Sequence, residues 1–230
     1  MATEQEEARE DSGQKIVRLI RPSVVVLCGP AACGKSTFAA RHFRPTQIIS
    51  SDQARALVCD DERDQRFQAQ AFALLHCLIE QRLSINRLCV VDSTALTQRA
   101  RQALLELARG YHVPAVVLVL DVPLETCLAH DAKRERTVGQ PVIERQYQLF
   151  EQAKAALKQE GFDQVIELKK EDMETAQIEI IFRPVPRPTT NAAPPERRRY
   201  APRPPRPAAG NKGSPPSAKP PSPPPEQPSS

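Results

Sequence analysis

Short apolar runs alternate along this chain with longer stretches in which apolar residues recur every three or four positions. Val24-Val25-Val26-Leu27 is an unbroken apolar run closing on Gly29, the pattern of a strand buried on both faces. Four further runs repeat it: Ile48-Ile49-Ser50, Leu88-Cys89-Val90-Val91-Asp92, Ala115 to Leu120 ending in Asp121, and Val165-Ile166-Glu167-Leu168. Helices are predicted between them. One covers Ser36 to Phe43, and a second carries Ala69, Phe72, Ala73, Leu75, His76 and Ile79 at helical spacing. A third, Arg99 to Arg109, aligns Leu104, Leu105 and Ala108 and ends at Gly110 as its expected C-cap. Leu124 to about Arg136 and Val142 to Glu160 complete the set. Such alternation predicts an α/β domain, a three-layer sandwich with a parallel sheet of about five strands and right-handed crossovers. Ligands bind such sheets at the carboxyl ends of the strands. Those ends carry Cys28-Gly29, Ser51-Asp52, Asp92 and Asp121.

The pattern stops at Pro184. Seventeen of the 23 prolines lie from there onward, with eight Lys and Arg against two Glu. The whole chain is +4, so its basic character belongs to residues 184–230, and the remainder is about −2. This predicts three parts: an acidic disordered N-terminus over 1–14, a folded domain over 15–183, and a disordered, basic, Pro-rich tail over 184–230. Arg197, Arg198, Arg199 and Tyr200 suit phosphate and base contacts. The proline runs suit a polyproline-binding partner, and a plain linker is equally open. The six cysteines include no C-x-x-C pair, usage expected of a reducing, cytoplasmic setting. No signal-peptide pattern and no run of about 20 apolar residues appears, so no membrane association is expected.

The chemistry concentrates behind the first strand. Gly29-Pro30-Ala31-Ala32-Cys33-Gly34-Lys35-Ser36-Thr37 matches G-x-x-x-x-G-K-[ST]. Such a loop wraps backbone N–H groups around phosphates, aims a helix N-terminus at them, and supplies Lys35 to the β- and γ-phosphates and Ser36 to magnesium. A strand before it and a helix after it meet the contextual requirement, against the alternative of an ordinary Gly-rich turn. The fold expectation thereby narrows to a P-loop NTPase binding ATP and Mg2+, with residues 29–37 as the ATP site. Cys33 reads as a small-residue replacement or a redox-sensitive thiol. Asp92 is expected near magnesium, or as a cap of the helix that follows. Ser51-Asp52-x-x-Arg55 admits two readings: a general base with an anion-holding arginine, or an N-cap beside a solvated side chain.

Taken together, GPAACGKSTFAARHFRPT, SSDQARALVCDDERDQ, AFALLHCLIEQRL and CVVDSTALTQRAR resemble the 5′-kinase module of bacterial polynucleotide kinase-phosphatases, enzymes of RNA repair. The resemblance covers about Val24 to Leu168 and includes Arg134, Pro141, Val142, Arg145 and Gln146. It implies transfer of the γ-phosphate of ATP to a 5′-hydroxyl end of RNA or DNA. Asp52 would serve as general base and Arg55 as the grip on the adjacent phosphate. A helical lid would bring catalytic Arg134, with Arg136, over the triphosphate, while Ser36 and Asp92 would serve magnesium. Two places depart from the family pattern. Ala95 stands where the family has Asn, and His130-Asp131 stand where it has Arg-Asn. A small-molecule P-loop kinase and a non-catalytic ATP-binding switch acting through the tail are the competing readings.

Overall fold

The computed structural model describes residues 15–135 and 137–183. The expectations for the N-terminus, Arg136 and the tail lie outside them. Seven strands and seven α-helices occur among the described residues. In chain order they are β1 (Ile16–Arg21), β2 (Val24–Cys28), α1 (Lys35–His42), β3 (Ile48–Ser50), α2 (Ser51–Cys59), α3 (Gln68–Leu83) and β4 (Cys89–Asp92). Then follow α4 (Gln98–Gly110), β5 (Ala115–Asp121), α5 (Leu124–Ala132), α6 (Gln140–Leu157), β6 (Gln164–Lys169), α7 (Lys170–Thr175) and β7 (Gln177–Phe182).

Five strands form the expected parallel sheet in the order β3-β4-β2-β5-β6. Their side chains alternate between two separate apolar cores. Val24, Val26, Val91 and Val117 face Leu75, Ile79, Leu104, Leu105 and Phe150 of α3, α4 and α6. Val25, Leu27, Val90 and Leu118 face Phe38 and Ala39 of α1, Cys127 of α5 and Ile143 at the start of α6. Both faces of the central strands are dry, so they read as continuous apolar runs.

Two strands lie beyond the five the pattern predicts. β1 and β7 pair in parallel as a separate two-stranded sheet, with Val17 and Leu19 buried in the second core and Ile16 exposed. Half-buried and interrupted by charges, they lack the unbroken run that marks the central strands. Two helix ends also move. Gly110 is the last residue of α4, not its cap; Tyr111 occupies that position and the left-handed backbone falls on His112, φ 54°. α5 stops at Ala132, short of Arg136, and the Asp131 carboxylate accepts from the backbone N–H groups of Val138 and Gly139. That capture turns the chain back towards α6. No helix among the described residues is long and apolar enough to cross a membrane.

Candidate functional site

The loop after β2 folds into a concave nest because two of its residues adopt left-handed backbone, Ala32 at φ 61° and Gly34 at φ 98°. Gly34 carries that conformation without penalty. Gly29 is required for space, since a Cβ there would approach the Cys33 Sγ to 2.7 Å. The Gly29 N–H donates to the Thr94 carbonyl at 3.2 Å, joining the loop to the chain leaving β4. Lys35 is buried and curls over its own loop, donating to the carbonyls of Gly29 at 3.0 Å and Pro30 at 2.6 Å. Cys33 is buried beneath it.

Asp92 ends β4 next to this loop and is 9% exposed. Burial pushes its carboxyl up; the Ser36 hydroxyl hydrogen-bonded to it and the Lys35 cation oppose that, while Asp52 reinforces it. It does not cap the following helix, because Thr97 does so through its hydroxyl. A buried carboxylate joined to a hydroxyl is a hard-oxygen pair that a divalent cation would stabilise. No cluster of three or more His, Cys, Asp and Glu able to hold a metal occurs among the described residues. Magnesium here would therefore take most of its shell from phosphate and water, its usual habit.

The opposite wall comes from α2. Ser50 caps this helix, its hydroxyl accepting from the N–H groups of Asp52 and Gln53, so Asp52 is not the cap. The Asp52 side chain is 65% exposed, whereas Arg55, one turn on, is 3% exposed rather than solvated. Arg55 donates to the Asp52 carboxylate at 2.8 Å, the Glu62 carbonyl at 2.5 Å and the Gln68 side chain at 2.9 Å. Its Nε is buried with no hydrogen-bond partner.

Ala31, Ala32, Gly34, Lys35, Ser36, Asp52, Arg55, Asp92 and Arg134 all line one cleft of about 730 Å3. Gly29, Pro30, Cys33 and Thr37 shape the loop without lining that cleft. The residues at which the chain departs from the resemblance, His130, Asp131 and Ala95, each have a defined local setting. His130 places its Nδ1 3.1 Å from the Ala32 carbonyl, and Asp131 organises the turn that carries Arg134 and Val138. Ala95 sits in left-handed backbone, φ 48°, a conformation an Asn tolerates better.

Several residues of the site have no role assigned by pattern and spacing, although Phe72 falls in the expected helical pattern and Val142 and Gln146 within the resemblance. Gln68 orients Arg55, and Phe72, Leu96, Val138 and Val142 provide an apolar lining. Gln146 of α6 accepts from the Ala31 N–H at 2.7 Å. Behind the cleft, Arg101 of α4 and Glu160 form a buried ion pair through two hydrogen bonds, one of 2.8 Å from Nε and one from Nη2. Arg101 also donates to the carbonyls of Ala95 and Leu96, both at 2.8 Å. The Gln146–Ala31 and Arg101–Glu160 pairings have no distinctive spacing, because they join residues 115 and 59 positions apart in the chain.

A parallel five-stranded sheet with an anion-cradling loop, a buried lysine and acidic groups at the strand ends defines a P-loop nucleotide-binding fold. The chain belongs to the AAA domain family, whose model matches residues 24–156. No curated protein matches the sequence. Among solved structures, a chain of the Pnkp1/Rnl/Hen1 RNA repair complex is similar at TM-score 0.52 and 18% identity, over 65% of this chain and 48% of that one. This chain thus spans about half the length of that relative. Chaetomium thermophilum Kti12 in complex with ADP-AlF3 is similar at TM-score 0.50 and 14% identity, over 66% and 94% of the two chains. Mycobacterium tuberculosis APS kinase CysC, in complex with AMPPNP and APS, follows at 0.44 and 15%, over 68% and 95%. At these identities the likeness is one of fold.

Proposed function

We propose that this chain is an ATP-dependent kinase that phosphorylates the 5′-hydroxyl end of a polynucleotide, RNA or DNA. The observation that carries the reading is the acceptor wall. Asp52 faces the P-loop across one cleft, beside a buried arginine held by three acceptors with its Nε unpartnered. A carboxylate next to a fixed guanidinium suits an acceptor that brings both a hydroxyl and a nearby anion. A 5′-terminal nucleotide with its adjoining phosphate is such an acceptor, and the likeness to a chain of an RNA repair complex agrees with it.

The steps follow from these residues. Lys35 exchanges the Gly29 and Pro30 carbonyls for phosphate oxygens, and the N–H groups of the loop beyond Ala31, whose own N–H is taken by Gln146, turn towards the same charge. Arg55 holds the acceptor's anion, which brings its hydroxyl alongside Asp52. The Asp52 carboxylate takes the hydroxyl proton as that oxygen forms its bond to the γ-phosphorus; the bond to the β–γ bridging oxygen breaks and ADP leaves. Arg134 adds positive charge at the mouth of the cleft. Ser36 and Asp92 would hold magnesium, which when bound neutralises charge on the β- and γ-oxygens.

The test uses γ-labelled ATP, magnesium and 5′-hydroxyl RNA and DNA oligonucleotides with the wild type and Asp52→Ala. Label should pass to the oligonucleotide with the wild type and fall by at least about a hundredfold in the variant. Folded protein that labels neither polymer would overturn the proposal. Label on an added nucleoside, sugar or other small alcohol alone would identify a small-molecule kinase, and nucleotide binding without turnover would identify a switch.

A further inference from the structure

Gln146 is the one α6 side chain hydrogen-bonded to the P-loop among the described residues, and its orientation is determined by chemistry. A backbone N–H only donates, so the atom 2.7 Å from the Ala31 nitrogen must be the acceptor oxygen of the carboxamide. The other end is therefore the NH2 group, with two donors. Nε2 has no hydrogen-bond acceptor among the described residues, although Gln146 is half-buried and lines the cleft with Lys35, Asp52 and Arg134. A side chain tethered by its oxygen, with its donors unspent at the mouth of an anion-binding loop, is built to meet an oxygen-rich ligand. Ala31 lines the cleft together with Lys35, the residue that in such loops reaches the β- and γ-phosphates, and with Asp52 of the opposite wall.

We infer that Gln146 is a terminal-phosphate contact: its Nε2 donates to an oxygen of the γ-phosphoryl group, while its Oε1, on the Ala31 N–H, sets the distance between α6 and the loop. The inference rests on the reading that the cleft binds ATP, and not on the identity of the acceptor. Rigid donors of this kind favour the transferring group because they need no reorganisation as its charge spreads. The contact also makes the start of α6, which carries Val142 towards the same cleft, responsive to whether the bound nucleotide has a third phosphate.

Two variants separate this role from mere bracing of the loop. Gln146→Glu keeps the length and an acceptor for the Ala31 N–H but removes both Nε2 donors. Gln146→Met keeps the length and removes both functions. Titration calorimetry with a non-hydrolysable ATP analogue and with ADP reads the γ-phosphate contact directly, without any acceptor. The wild type should bind the triphosphate more tightly. Both variants should lose that preference by roughly tenfold to a hundredfold while keeping ADP affinity. Gln146→Glu retaining the full preference would show a bracing role and overturn the inference, as would a wild type that does not distinguish the two nucleotides. If the preference disappears in both variants but the wild type labels no oligonucleotide, the γ-phosphate contact stands and the proposed acceptor falls.

Discussion

Arg101→Ala tests whether the buried ion pair behind the cleft holds the site's rear wall in place. Arg101 is 1% exposed and makes four hydrogen bonds, two to the Glu160 carboxylate and two to the Ala95 and Leu96 carbonyls. Truncation leaves the Glu160 carboxylate, 3% exposed, without its cation, an effect worth about 3–5 kcal/mol. It also strips two carbonyls of their guanidinium donor, each worth about 1–3 kcal/mol when left unsatisfied. These terms overlap and do not add fully. A loss of at least about 4 kcal/mol is expected, against a total stability of about 5–15 kcal/mol for a domain. Urea unfolding at neutral pH measures it for Arg101→Ala, and a cycle of Arg101→Met, Glu160→Leu and the double Arg101→Met, Glu160→Leu variant isolates the pair. The double variant should lose less than the sum of the Arg101→Met and Glu160→Leu losses by about 2 kcal/mol or more, because each single change leaves a lone buried charge and the double leaves none. Additive losses, or a loss under about 1 kcal/mol for Arg101→Ala, would refute the reasoning. The same clamp positions the segment whose Thr94 carbonyl accepts from the P-loop Gly29 N–H, so its failure should also weaken nucleotide binding.

Two further outcomes follow from burial. Burial pushes the Cys28 and Cys89 thiols up to about 11 and Cys127 to about 12, so at pH 8 iodoacetamide should label exposed Cys77 well before these three. Mass spectrometry of the peptides reads the order, and early labelling of Cys28 would contradict it. Burial also holds the His42 and His76 rings below the ordinary 6.5, so the unfolded chain binds more protons just below that pH. Stability should be fully present above 6.5 and decline as pH falls towards the folded-state values. Urea midpoints at pH 7.5 and 5.5 should differ more for the wild type than for a His42→Gln, His76→Gln variant, and an equal difference would remove the explanation.

The elements legible in the chain were those whose physics is local. An unbroken apolar run such as Val24 to Leu27 has few choices other than a strand buried on both faces, and all five such runs became the central sheet. β1 and β7 were not legible, because their half-buried alternation has meaning only once each has the other as a partner. The P-loop was recognisable because one short segment contains nearly all of its chemistry, down to Gly34 in left-handed backbone. The ends of α4 and α5 differ from the expected Gly110 cap and Arg136 stop because left-handed backbone at His112, two residues beyond Gly110, turns the first chain segment, and the Asp131 carboxylate, bonded to the Val138 N–H, turns the second.

The sequence by itself determined the α/β class, the order of its main elements and the presence of a phosphate-binding loop, since periodicity and contiguous motifs encode them directly. The tertiary structure alone decided which polar groups work together. Asp52 and Arg55 were ambiguous by spacing until burial and the partners Glu62 and Gln68 showed that Arg55 is a fixed side chain and Asp52 an open one. Gln146 reaches Ala31 across 115 positions, and Arg101 reaches Glu160 across 59. Such pairings arise from the packing of helices on a sheet, and no local pattern of residues records them.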